Sequence, residues 1–290
     1  MRILVTGTQG QVARALAERG AGQDLVFGGR PELDLADPSS IDRAVEAVRP
    51  DLVISAAAYT AVDQAEDEPV MAQKVNAVAP GALARAAARV GAPVLHLSTD
   101  YVFDGTADRP YREDDPTCPV SVYGQTKLAG EQAIIASGAD FAIIRTAWVY
   151  SPYGGNFIAT MLRLAADRDM VRVVDDQIGC PTSALDIADT LLAIATRLKC
   201  APGHGLNAIY HYVGAGEASW AALASEVFSA SKSRGGPSAD VTGIPTSEYP
   251  TKAARPANSR LSTNRIEAAF GIAPRPWRQQ VVETVKRLVR

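Results

Sequence analysis

The chain has 290 residues, 47% of them hydrophobic and only 6% aromatic, which is the make-up of an aliphatic-cored globular protein rather than a disordered or fibrous one. Its net charge of −3, with the 29 basic residues scattered rather than blocked, offers no footprint to a nucleic-acid backbone or an anionic membrane, so neither is expected as a partner. Cys118, Cys180 and Cys200 are odd in number and widely spaced, and with three distant histidines they make neither a disulfide framework nor a zinc site.

In chain order, the apolar run after Arg2 stops at Val5 and passes into glycines, too short for a signal peptide, and no later run approaches a membrane span of about 18 residues. With free thiols, this predicts a cytoplasmic protein. Aliphatic runs at residues 3–5, 25–27, 52–55, 94–98 and 142–146 read as strands, and helical periodicity fills 40–48, 70–90 and 122–135. The alternation predicts an α/β fold, a Rossmann-type doubly wound parallel sheet whose strands are apolar on both faces. Pro152, Gly154 and Gly155 mark a boundary. Helices are expected again at 157–166, 185–198, 220–231 and 279–288, with a polar turn at 231–237 and an irregular proline-punctuated loop at 245–256. The expected division is a dinucleotide-binding domain over 1–149, with a return segment near 181–214, and a smaller α/β domain over 150–180 and 215–290.

The first strand runs into Gly7-Thr8-Gln9-Gly10-Gln11-Val12-Ala13, a turn whose small residues let backbone N–H groups and a helix N-terminus approach a pyrophosphate. Gly7, Gly10, Gln11 and Val12 are therefore candidate cofactor residues. After the second strand, where an acid would favour NAD, stands Gly28-Gly29-Arg30. A guanidinium there favours NADPH, leaving NADH open, and the alternative is a plain surface arginine before Pro31. Asp34 and Leu35 reach the adenine edge in one reading; in the other, Asp34 caps the helix near Pro38. Ala56, Ala57 and Ala58 follow the third strand and leave room for a cofactor.

Tyr123 and Lys127 share one face of a helix. A phenol with a pKa of about 10 is a sluggish acid or base at neutral pH, and an adjacent ammonium is expected to pull that value down. The competing reading pairs Lys127 with Glu131 as an exposed ion pair. Thr99, at the end of the fourth strand, adds a hydroxyl at the sheet edge where doubly wound folds bind ligands. Residues 174–182 and 254–261 are polar stretches suited to a nucleotide. Arg255 or Arg260 can neutralise its pyrophosphate while Asn258 and Ser259 donate to it, or the same residues merely shape a loop. Trp220 lies in a helical apolar pattern and reads as core.

Together, Gly7-x-x-Gly10-Gln11-Val12, Ala56-Ala57-Ala58-Tyr59-Thr60, Ser98-Thr99-Asp100-Tyr101, Tyr123-Gly124-Gln125-Thr126-Lys127, Arg145-Thr146-Ala147-Trp148 and Arg255-Pro256-Ala257-Asn258-Ser259-Arg260-Leu261 resemble the extended short-chain dehydrogenase/reductases, and among them the dTDP-4-dehydrorhamnose reductase family. The resemblance implies NADPH-dependent reduction of the C4 carbonyl of dTDP-4-dehydro-L-rhamnose. It makes Tyr123 the proton donor, gives Lys127 the nicotinamide ribose, lets Thr99 orient the carbonyl and turns Asp100 and Trp148 towards the sugar. Relatives that dimerise around Mg²⁺ use a carboxylate early in the first helix, where this chain has Ala13-Arg14-Ala15, so no metal is expected and the chain is a monomer or a homodimer. A dehydratase would need a Glu after Asp100, where Tyr101 stands; an epimerase and a non-catalytic cofactor-binding subunit remain as alternatives.

Overall fold

The computed structural model describes residues 1–289. Five strands, β1 (Arg2–Thr6), β2 (Asp24–Gly28), β3 (Leu52–Ser55), β4 (Val94–Thr99) and β5 (Phe141–Thr146), are joined by a sixth, Ala208–His211. They form one parallel sheet in the order Ala208–His211, β5, β4, β3, β1, β2. Side chains alternate through it. Ile3, Val5 and Ile54 point to the face covered by the helices Gln11–Arg19 and Ala184–Cys200, and Leu4, Val53 and Ile143 to the face covered by Pro38–Val48 and Ala79–Arg89. Since both faces are covered, β3 and β5 are buried at every residue, including the polar Ser55, Arg145 and Thr146 at their carboxyl ends. Between β1 and β3 the strand order reverses direction, and the crevice beyond their carboxyl ends is where such sheets take ligands.

A second apolar core lies outside this sheet. Ile158, Leu223, Val227, Phe228, Val281 and Val285 come from the helices Phe157–Ala165, Trp220–Lys232 and Trp277–Leu288, and Val171 and Val173 from a strand, Met170–Val174. That strand pairs in parallel with Asp240–Ile244. Neither is among the expected strands: the first alternates Val171 and Val173 into the core over only five residues, and the second buries Ile244 alone. The 245–256 loop is irregular apart from a single 3₁₀ turn, Thr246–Glu248.

The stretch expected as one helix over 70–90 is three pieces: Pro69–Gln73, a π-turn at Lys74–Val78, and Ala79–Arg89. Pro80 has no N–H to return to the carbonyl of Asn76, and the Ala79 N–H instead bonds Lys74 O, which widens the turn. Among the described residues, no helix is long and apolar enough to cross a membrane.

Candidate active site

Two loops meet at the reversal of strand order. Thr6 Oγ1 accepts from the backbone N–H groups of Ala56 (3.0 Å) and Ala57 (3.1 Å), which ties the exit of β3 to the exit of β1. Gly7 has φ +91°, a conformation open to glycine, and any Cβ there would press on the Ala57 methyl. Gly10 precedes the Gln11–Arg19 helix without a side-chain cap, and a Cβ on it would meet nothing within 4 Å. First-turn N–H groups facing a space with no side chain in it fit a pyrophosphate.

The side chains of the turn are occupied elsewhere. Gln11 spends its amide on Val149 O and Ser151 Oγ, and Val12 is in the core, so both can meet a phosphate only through their backbone. Gly7 N–H donates to Gly28 O (2.6 Å), which sets exposed Arg30 next to the phosphate turn. Asp34 is not the helix cap. Its Oδ1 accepts from Ala36 N–H in an Asx turn, and Asp37 caps the Pro38–Val48 helix through Ser39 N–H. Leu35 is half-buried against the second face of the sheet.

Tyr123 and Lys127 lie on the Val122–Ile135 helix, begun by Ser121, whose Oγ accepts from Gly124 N–H. Gly124 and Gly130 let this helix close in: a Cβ on Gly124 would strike the Tyr101 carbonyl, and one on Gly130 the Asn76 carbonyl of the π-turn. The approach brings the Tyr123 phenol against the Thr99 hydroxyl and beside Asp100, with the Tyr101 ring edge-on at 5.5 Å. Lys127 is not the exposed partner of Glu131. It is 2% exposed, its Nζ donates to Leu97 O (2.7 Å), and Glu131 accepts from Nε and Nη2 of buried Arg145.

The expected fall in the tyrosine's pKa is not found. Desolvation pushes Tyr123 up, against a smaller opposing effect of Thr99, while Asp100 and Tyr101 push it further. Burial pulls Lys127 down to about 8, partly offset by Glu131. The reason is that Lys127 Nζ is turned to β4 rather than to the phenol. At neutral pH the phenol is therefore protonated. Close by, burial pushes Asp100 up to about 6, with the hydroxyls of Ser259 and Thr99 opposing the rise. Ser98 Oγ, Asp100 Oδ2 and Thr146 Oγ1, at the carboxyl ends of β4 and β5, are buried with no partner among the described residues. Buried orphan oxygens of this kind suit a polar ligand.

From this edge a cavity of about 870 Å³ opens towards the second core. Trp148 lines it from a left-handed backbone (φ 49°), lying on Gly179, where a Cβ would run into the indole. Trp220 packs on the edge of the second core and also faces the cavity: it stacks on Trp148 at 3.5 Å between ring centres, its indole N–H donating to Gln177 Oε1 (3.1 Å). Its place as the first residue of a helix, directly after the Ser219 cap, was the available signal that it points off the packed face. Arg163, Arg168 and Arg172 also border the cavity, and nothing in their local sequence marks them.

The 254–261 segment divides. Arg255 and Ser259 line the cavity, Arg255 bonding the Tyr101 hydroxyl (3.0 Å) and Asp63 (2.6 Å). Asn258 and Arg260 do not line it. Asn258 Nδ2 donates to Ala107 O and Arg109 O, and Arg260 bonds Asn258 Oδ1, Glu217 and Asp108 O, so these two brace neighbouring loops. Asn76 is a further residue that pattern reading passes over. Fully buried in the π-turn, it bonds both backbone groups of Tyr59 and the Thr126 hydroxyl, fastening the loop after β3 to the tyrosine helix. A π-turn at such a junction is a frequent mark of a functional site.

Residues 1–290 match the family model described as RmlD substrate binding domain. The chain is 48% identical over 290 residues to a dTDP-4-dehydrorhamnose reductase of Sinorhizobium fredii, covering 100% of this chain and 97% of that one. Among solved structures, it resembles a dTDP-4-dehydrorhamnose reductase of Clostridium acetobutylicum (TM-score 0.92, 35% identity, 99% of each chain). It also resembles one of Bacillus anthracis in complex with NADP (TM-score 0.88, 33% identity, 97% of each chain).

Proposed function

The chain belongs to the RmlD substrate-binding-domain family, that of the dTDP-4-dehydrorhamnose reductases, and is an oxidoreductase; from that premise we propose that it reduces the C4 carbonyl of dTDP-4-dehydro-L-rhamnose to give dTDP-L-rhamnose, with Tyr123 as the proton donor. The observation that carries the reading is the Tyr123 phenol set beside Thr99, between a glycine turn whose first-turn N–H groups face open space and an aromatic-walled cavity.

The turn Gly7–Val12 would hold the pyrophosphate of NADPH, which when bound would supply the hydride. Thr99 donates to the C4 oxygen, and as that oxygen gains the electron pair of the carbonyl it takes the Tyr123 proton. The Lys127 ammonium then offsets the tyrosinate charge and reaches the nicotinamide ribose. Ala56, Ala57 and Ala58 leave room for the cofactor, and Asp34 and Leu35 flank its adenine. Arg30 meets a 2′-phosphate, which is the basis for preferring NADPH to NADH; the Bacillus anthracis relative, solved with NADP, agrees with this.

On the other side, Asp100 and Trp148 face the sugar, and Arg255 and Ser259 face the diphosphate. In this division of labour, residues 1–149 with the return near 181–214 hold the cofactor, and 150–180 with 215–290 hold the nucleotide sugar. The free thiols fit a cytoplasmic enzyme, acting as a monomer or a homodimer.

The test is consumption of NADPH on adding dTDP-4-dehydro-L-rhamnose, with NADH compared in the same assay. One cofactor oxidised per sugar reduced is expected; catalytic cofactor with no net oxidation would mean epimerisation instead. Tyr123→Phe should bind NADPH as wild type does while losing about 10²–10⁴-fold in kcat. A phenylalanine variant at near wild-type rate would show that the proton comes from elsewhere.

A further inference from the structure

His96 is completely buried on β4, three residues before Thr99, and both of its ring nitrogens are engaged. Nδ1 is 2.9 Å from Ser55 Oγ and Nε2 is 3.3 Å from Lys127 Nζ. An ammonium offers three donors and no acceptor. The nitrogen facing Lys127 must then be the bare one, so Nδ1 carries the ring proton and donates it to Ser55. Ser55 and His96 are register partners across β3 and β4, so the sheet itself fixes the orientation of the ring.

Lys127 Nζ also donates to Leu97 O at 2.7 Å. Two adjacent residues of one strand thereby take two of its three N–H groups. Burial and the neighbouring ammonium keep the imidazole neutral, well below its ordinary pKa. A neutral acceptor suits this place. A carboxylate would hold the lysine more tightly but cancel the charge that a tyrosinate needs, and Glu131, the nearest acid on the same helix, is already taken by Arg145.

We infer that His96 is a positioning residue for the reaction: as the Nδ1–H tautomer it accepts one ammonium proton of Lys127 and, together with the Leu97 carbonyl, leaves a single N–H of that lysine for the reacting side of the site. The inference rests on Lys127 acting with Tyr123 as proposed above.

Imidazole ¹⁵N NMR of the wild-type protein at neutral pH tests the geometry without reference to turnover. The chain has only three histidines, and the His96 signals are the ones lost in His96→Gln. A neutral Nδ1–H tautomer is expected; an Nε2–H tautomer or a charged ring overturns the inference. Kinetics test its consequence. His96→Met removes the acceptor and should lower kcat about tenfold or more with both KM values within about twofold, whereas His96→Gln, whose amide oxygen reaches as far as Nε2, should recover most of the loss. A Met variant within about twofold of wild type in kcat, or a folded Gln variant no better than Met, also overturns it. If neither variant folds, the wild-type tautomer decides, its signals assigned as those that persist in His204→Gln and in His211→Gln. Failure of the reductase reading looks different, since the wild type would then not oxidise NADPH with the dehydro-sugar while the tautomer could still be Nδ1–H.

Discussion

At Asp100 a carboxylate is buried beside Thr99 and Tyr123, and desolvation raises its pKa from 3.8 to about 6. A raised acid favours the folded state while protonated. Its contribution is complete below about pH 4 and is lost as the pH climbs towards the folded value, so that at neutral pH ionising this buried group costs the fold about 3 kcal/mol. Asp100→Asn should therefore stabilise the protein at neutral pH by about 1–3 kcal/mol and leave it unimproved near pH 4, while impairing turnover. Denaturant unfolding at both pH values checks this, and an equal change at both would mean that the carboxylate is not the strained group. Such a cost at a site of action is a common trade of stability for function. Trp220 makes a second case. Its stack on Trp148 is one wall of the cavity, and an aromatic contact of that kind is worth about 0.5–1.5 kcal/mol. Trp220→Ala is expected to raise KM for the nucleotide sugar about two- to twelvefold with the Kd for NADPH unmoved; a KM unchanged in steady-state assay would return Trp220 to a packing role.

The Val122–Ile135 helix shows how an element is placed by what it lacks. Gly124 and Gly130 expose its backbone side to the Tyr101 and Asn76 carbonyls, while Arg145 on β5 clamps it at Glu131 in an ion pair that is 3% and 1% exposed. Gly130→Ala must push helix and π-turn apart. It should destabilise by about 1–3 kcal/mol, and because the helix carries Tyr123 and Lys127 it should lower kcat as well. Thermal unfolding alongside the NADPH assay reads both, and a variant as stable as wild type would mean that the π-turn yields freely. The helix and its Tyr123–Lys127 face were legible because i, i+4 spacing is local. The break at residues 74–78 was not, although Pro80 was the visible cause, because apolar periodicity runs through a π-turn with only a small phase error. Asn76 was missed for a related reason: its partners Tyr59 and Thr126 are 17 and 50 residues away.

Across the whole molecule, two cores are joined over the cavity by a polar strap. Asp63, after β3, accepts from Ala253 N–H (3.1 Å) and Arg255 (2.6 Å), and Lys252 pairs with Asp67. Asp63→Ala should free the 251–260 loop and raise KM for the sugar nucleotide several-fold, with the Kd for NADPH kept within about twofold; equal weakening of both ligands would show that the strap holds the sheet and not the loop. The first five strands of the parallel sheet, the glycine turn after β1, the place of Thr99 at the end of β4 and the shared helix face of Tyr123 and Lys127 were legible in the sequence alone, because each depends on periodicity or on residues a few positions apart. Only the tertiary structure decided that Asn258 and Arg260 brace loops while Arg255 and Ser259 face the cavity, that Trp220 joins Trp148, and that Lys127 hangs from His96 and Leu97. Those outcomes depend on which side chains meet across tens of residues, and a contact of that range is fixed by packing of the sheet and its crossovers, which no local pattern records.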